Sequence, residues 1–151
     1  MAEQVCNFFG EFRDLKVLII DDNTLVHDTL KRAFYDMDIR EVRCAQNAYY
    51  GLKLCSEMDF HIIICSFNVE SDKDGVHLLE ELKFKGYVNK CTVLIFLSTQ
   101  TDESLVNSII ELQPDDFWVK PLQPKKVRDR LLQTLKVKNK LYNIYQAIDR
   151  R

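Results

Sequence analysis

The sequence predicts an α/β domain in which five strand–helix units build one parallel sheet, covered on both faces. Three observations predict it. Three runs, Val17-Leu18-Ile19-Ile20, Ile62-Ile63-Ile64-Cys65 and Val93-Leu94-Ile95-Phe96-Leu97, are continuously apolar with no period-two alternation, as in strands buried on both faces. Helical spacing of apolar residues fills the gaps between them. Successive strands lie roughly 22–30 residues apart, the length of a strand–helix unit.

The elements follow in order. Val17–Ile20 is the first strand. Asn23 or Thr24 caps a helix carrying Leu25, Thr29, Leu30, Ala33 and Phe34. A weaker strand at Glu41–Cys44 precedes a helix with Ala48, Leu52, Cys55 and Met58. Ile62–Cys65 is the third strand. A helix after Gly75 carries Val76, Leu79, Leu82 and Lys83. Val93–Leu97 is the fourth strand. The acidic Asp102-Glu103 suits the N-terminus of a helix with Leu105, Ile109 and Leu112. A short strand at Asp116–Val119 leads to Pro124, which fits a first helical turn, and to Val127, Leu131, Leu132 and Leu135. Alternating strands and helices imply right-handed crossovers. The domain boundaries are an extension over 1–14, the domain over 15–135 and a further helical stretch over 136–151. Phe8, Phe9 and Phe12 make the first segment too apolar for a free tail.

Composition agrees. A chain of 151 residues, 46% hydrophobic, holds one real core and little room for a second domain. Its apolar runs fall far short of the roughly 18 residues of a membrane span. The N-terminus lacks the pattern of a secretory signal. Five Cys, an odd number without a CxxC, predict a reducing cytosol, free thiols and no zinc site. His27, His61 and His77 lack metal-ligand spacing and read as surface or satisfied histidines. Net charge is −2, yet residues 120–151 hold ten Lys or Arg against two acids. The bland reading of that end is a solvated helix face.

Open α/β sheets bind ligands at the carboxyl ends of their strands. The residues placed there are Asp21-Asp22 after the first strand, Ser66 and then Asn68 after the third, Ser98-Thr99 after the fourth, and Lys120-Pro121 after the fifth. Two carboxylates, two hydroxyl positions and an ammonium converge on one edge.

This constellation resembles the receiver domain of two-component response regulators over about Leu15 to Leu135. Asp74-Gly75 matches the family's opening of the third helix, and each motif falls in order at a strand end. The resemblance implies a flavodoxin-like (βα)5 doubly wound sheet with strand order 2-1-3-4-5. It implies that Asp21 and Asp22 hold Mg²⁺ with the main-chain carbonyl of Asn68. Ser98 and Lys120 would contact a phosphoryl group. Phe117 would be the aromatic that changes rotamer on activation, and Lys120-Pro121 the site of a cis peptide bond. A histidine kinase or an output domain would be the partner.

The sequence departs from the family at the centre, where Ser66 stands at the position of the phosphate-accepting Asp. The loop Asn68–Asp74 is one residue longer than usual and lacks its Pro. Asp59 and Asp72 are too far along the chain to replace the acceptor by a local slip. A serine hydroxyl is protonated at neutral pH, is a weak nucleophile without a base, and would give a stable ester. With one carboxylate fewer, the site is expected to bind Mg²⁺ weakly, and no cofactor is obligatory. Lys120 is expected to pair with Asp22 or Asp21 instead.

The leading expectation is therefore a cytoplasmic receiver-like signalling module that acts through protein contacts and is no enzyme. A phosphoacceptor using Ser66 or Asp72 is the second reading. A small-ligand binder of flavodoxin type is the third, opposed by the acidic Asp21-Asp22-Asn23-Thr24 loop, which would repel a phosphate. Val137, Leu141, Ile144, Tyr145 and Ile148 fall on one helical face, so the last helix is expected to run on past the domain. That stripe would be covered by a second copy or a downstream domain of a longer protein. A protein partner fits the basic end better than nucleic acid, and no membrane contact is expected.

Overall fold

The computed structural model describes residues 14–66, 75–89, 91–99 and 113–149. The elements are β1 (Lys16–Ile20), α1 (Thr24–Asp36), β2 (Glu41–Ala45), α2 (Ala48–Glu57), β3 (Ile62–Ser66), α3 (Gly75–Phe84), β4 (Val93–Ser98), β5 (Asp116–Val119) and a C-terminal helix, α4 (Pro124–Asp149). The helix expected around Leu105–Leu112 and the apolar N-terminal segment lie outside the described residues. So do Asn68, Asp72 and Asp74.

All five strands are parallel, in the order β2-β1-β3-β4-β5. The chain thus has the expected flavodoxin-like topology. Each strand side chain alternates faces, which explains the unbroken apolar runs. Val17, Ile19 and Ile64 join Leu30 and Phe34 of α1 and Leu131 of α4 in one core layer. Leu18, Ile20 and Phe96 join Ala48 and Cys55 of α2 and Leu79 of α3 in the other.

Local sequence sets the helix starts. Asn23 Oδ1 accepts the Leu25 N–H at 2.9 Å and caps α1. Asn47 does the same for Tyr50 at 3.0 Å in α2. The buried stripe of α1 is Val26, His27, Leu30, Ala33 and Phe34. Leu25, expected on that stripe, is 69% exposed, because it sits in the first turn on the flank away from the sheet. Gly51 lets α2 approach β1 closely: a Cβ there would stand 2.5 Å from Ile20 Cδ1.

Pro124 opens α4, as its fixed φ and missing N–H allow. The 26 residues of α4 span about 39 Å at 1.5 Å per residue, so the helix runs on past Leu135, its last buried residue among those whose burial is described, as the periodicity predicts. The expectation of free thiols throughout is corrected at Cys91, which is disulfide-bonded. Cys91 lies half-exposed in the turn before β4 rather than inside an apolar strand, whereas Cys44, Cys55 and Cys65 are free.

Candidate functional site

The carboxyl edge of the sheet gathers the polar strand ends. Asp21 continues the β1 ladder, its N–H donating to the Ala45 carbonyl at 3.0 Å. Its side chain is fully buried. Oδ1 accepts the Asn23 N–H at 2.8 Å, which fixes the turn into α1. Lys120, directly after β5, donates its backbone N–H to the Ser98 carbonyl at 2.8 Å. Its Nζ lies 2.6 Å from Asp21 Oδ2. That contact is an ion pair off the angle of a hydrogen bond, and Oδ2 has no hydrogen-bond donor among the described residues. The Lys120-Pro121 peptide bond is cis, as expected.

Ser66 and Ser98 end β3 and β4, both 3% exposed. Ile20 pairs with Cys65, so Asp21 and Ser66 are the next residues along two adjacent strands. Ser66 in turn sits opposite Leu97, one residue before Ser98. Asp22 is exposed at the rim. Phe117 is half-buried against the α2–α3 core layer. The structure thus joins Asp21 to Lys120 directly and sets Ser66 and Ser98 on the strands between them.

Two features go beyond the sequence reading, which left His27 as either a surface or a satisfied histidine. His27 is buried, and its Nε2–H donates to the Asp21 main-chain carbonyl at 2.6 Å. The carbonyl can only accept, so this bond places the proton on Nε2. The signal was present: 27, 30 and 34 lie on one helical stripe, where a histidine among apolar residues needs a partner. The second feature is a clamp between β5 and α4. Asp116 takes Arg130 in two bonds, Nη2 to Oδ1 at 2.6 Å and Nε to Oδ2 at 3.1 Å, and accepts the Trp118 indole N–H at 2.7 Å. Burial raises the Asp116 carboxyl, but hydrogen bonds from Arg130, the Phe117 N–H and Trp118 outweigh it and hold the group below the usual range. Lys138 reaches Asp115 at 3.0 Å. With Lys120, three of the basic residues of the C-terminal end are therefore engaged within the fold.

The chemistry open to this edge is limited. Burial pushes the Cys65 thiol, beside Ser66, up to about 12, so it stays protonated and inert. No group of three or more His, Cys, Asp or Glu side chains that could hold a metal occurs among the described residues. Asp21 Oδ2 offers one buried oxygen toward a cation, but the Lys120 ammonium already stands against it. Asp21 and Asp22 offer the one or two carboxylates that Mg²⁺ ordinarily uses, with the Lys120 ammonium in place beside Asp21. Among the described residues no helix is long and apolar enough to cross a membrane.

Residues 17–132 match the response regulator receiver domain family. The chain is 26% identical over 114 residues to a probable chemotaxis protein CheY of Rhizobium etli, covering 76% of this chain and 87% of that one. It is 27% identical over 117 residues to the chemotaxis protein CheY of Listeria monocytogenes, covering 78% and 95%. Among solved structures, the chemotaxis response regulator CheY4 of Vibrio cholerae superposes with a TM-score of 0.71 at 21% identity, over 80% of this chain and 98% of that one. The sheet order, the polar strand ends and the matched span agree, and the chain belongs to the response regulator receiver domain family of two-component signalling.

Proposed function

We propose that this receiver domain takes no phosphoryl group on an aspartate and signals through protein contacts alone. The observation that supports this reading is the end of β3, where the residue beside Asp21 is Ser66 and the ammonium of Lys120 neutralises Asp21 at 2.6 Å. A serine hydroxyl is protonated at neutral pH and is a weak nucleophile, and the Ser66 hydroxyl is buried at 3% exposure. Asp21, Asp22, Ser98, Phe117 and Lys120 then serve as a fixed polar edge rather than as a switch. Mg²⁺ binding is weak, since a cation must displace Lys120 from Asp21. The domain carries out no reaction of its own. Its partner is a histidine kinase or an output domain, and the part of α4 beyond Leu135 is a docking element for a second copy or a following domain.

The test is incubation with acetyl phosphate and Mg²⁺, followed by mass spectrometry of the intact protein. No mass gain is expected. A stoichiometric gain of one phosphoryl group, lost on hydroxylamine treatment, would show an acyl phosphate and overturn the reading.

A further inference from the structure

The sheet has an open edge at β2, which among the described residues pairs only with β1. The Asp21 N–H donates to the Ala45 carbonyl, so Ala45 turns its backbone groups toward β1. With the period of two, Arg43 and Glu41 do the same, and Val42 and Cys44 turn theirs outward. On the side-chain level Glu41 and Arg43 share one face and are joined at 2.9 Å, with 41% and 54% of their side chains exposed. A cleft of about 520 Å³ between the end of β2 and the Tyr50–Glu57 flank of α2 leaves that side of the edge open.

We propose that β2 pairs antiparallel with β2 of a second copy of this chain, about a two-fold axis through Val42, joining two sheets into one. In this register Val42 faces its own copy as a hydrogen-bonded pair through its outward N–H and C=O. Glu41 then stands opposite Arg43 of the second copy, and Arg43 opposite its Glu41. These are the close, non-hydrogen-bonded positions, where opposite charges favour pairing. The competing register, with the axis through Arg43, sets Arg43 against itself and is disfavoured. The edge is thus self-complementary, whereas edge strands are ordinarily blunted by charge. A two-fold contact uses the same patch on both copies and closes on itself. With only five residues in the strand, the interface belongs to the weak, transient class, under about 1,200 Å². The proposal does not depend on Ser66 or on the phosphate reading.

Sedimentation across a concentration series at low salt tests it on the intact chain. The wild type is expected to show a monomer–dimer equilibrium. Glu41→Arg and Arg43→Glu each place like charges across the two-fold and are expected to weaken the dimer about tenfold or more. Mixing the two variants restores opposite charges in the heterodimer, and its recovery is the decisive positive result. Val42→Pro removes the outward N–H, which β1 does not use, and is expected to leave a folded monomer. A wild type that stays monomeric throughout would overturn the proposal, as would a dimer indifferent to both charge reversals. A dimer lost on ending the chain at Val137 but untouched by Glu41→Arg would assign association to α4 and overturn it equally.

Discussion

The Lys120 ammonium stands 2.6 Å from Asp21 Oδ2, closing the polar edge of the sheet with an internal ion pair. Asp21 is fully buried and Lys120 is 16% exposed, so the pair is one in which loss of a partner is costly.

Lys120→Met should therefore leave a buried carboxylate without its counter-charge. The expected loss is about 3 kcal/mol of unfolding free energy at neutral pH. Urea denaturation measures it. A loss below about 1 kcal/mol would show that water or another cation compensates the carboxylate.

Ser66→Asp adds a third carboxylate on the strand beside Asp21. Coulomb attraction to a cation at about 4 Å is about 4 kcal/mol per unit charge pair at an effective dielectric near 20, before desolvation. Mg²⁺ affinity should tighten at least about tenfold. Calorimetric titration, or Trp118 fluorescence, reads the change, and equal affinity in both proteins would place Ser66 outside the site.

The Asp116–Arg130 clamp predicts a pH dependence. The folded carboxyl lies below its usual value of 3.8, so the unfolded chain binds more protons as pH falls toward it. The clamp's contribution is complete above about pH 4, and it is lost as pH falls through the folded value. Arg130 is more than half exposed, so the contribution is about 1 kcal/mol or less. Thermal melts of wild type and Arg130→Met between pH 2 and 6 should differ above pH 4 and converge at the acid end.

His61 gives a second window on the same axis. Burial, with Lys16 adding to it, lowers the His61 pKa below 6.5, and neutral Nδ1 accepts the Lys16 N–H at 3.0 Å. The folded protein then binds fewer protons than the unfolded chain just below pH 6.5. The contribution is full above pH 6.5 and is lost as pH falls toward the folded value. His61→Gln should flatten this step in melting temperature, and an unchanged step would point to another group.

Gly51→Ala tests the packing of α2 on β1. A helix gains up to about 1 kcal/mol from the change, but a Cβ at 2.5 Å from Ile20 Cδ1 must push the core. Overpacking of this kind costs about 1–3 kcal/mol, so a net loss of about 1 kcal/mol is expected in denaturant titration. A net gain would mean that Ile20 changes rotamer without cost.

The sequence by itself determined the order of the strands and helices within the described residues. The physical reason is local: continuous β-branched runs suit only doubly covered strands, and Asn23, Asn47 and Pro124 fix helix starts through backbone groups a few residues away. It also determined which residues lie at the strand ends, because a residue just past a buried run has nowhere else to go. Tertiary structure alone decided what those residues meet. Whether Lys120 pairs with Asp21 or Asp22 depends on side-chain direction across strands β1 and β5, about a hundred residues apart in sequence. The burial of His27 against Asp21, the engagement of Arg130 and Lys138 by Asp116 and Asp115, and the exposure of Leu25 follow from how the helices rotate onto the sheet. Such rotation is set by packing between distant elements, and a single helix's periodicity leaves it open by a residue or so. Cys91 shows the same limit in covalent form, since bonding between two thiols depends on which segments the fold brings together.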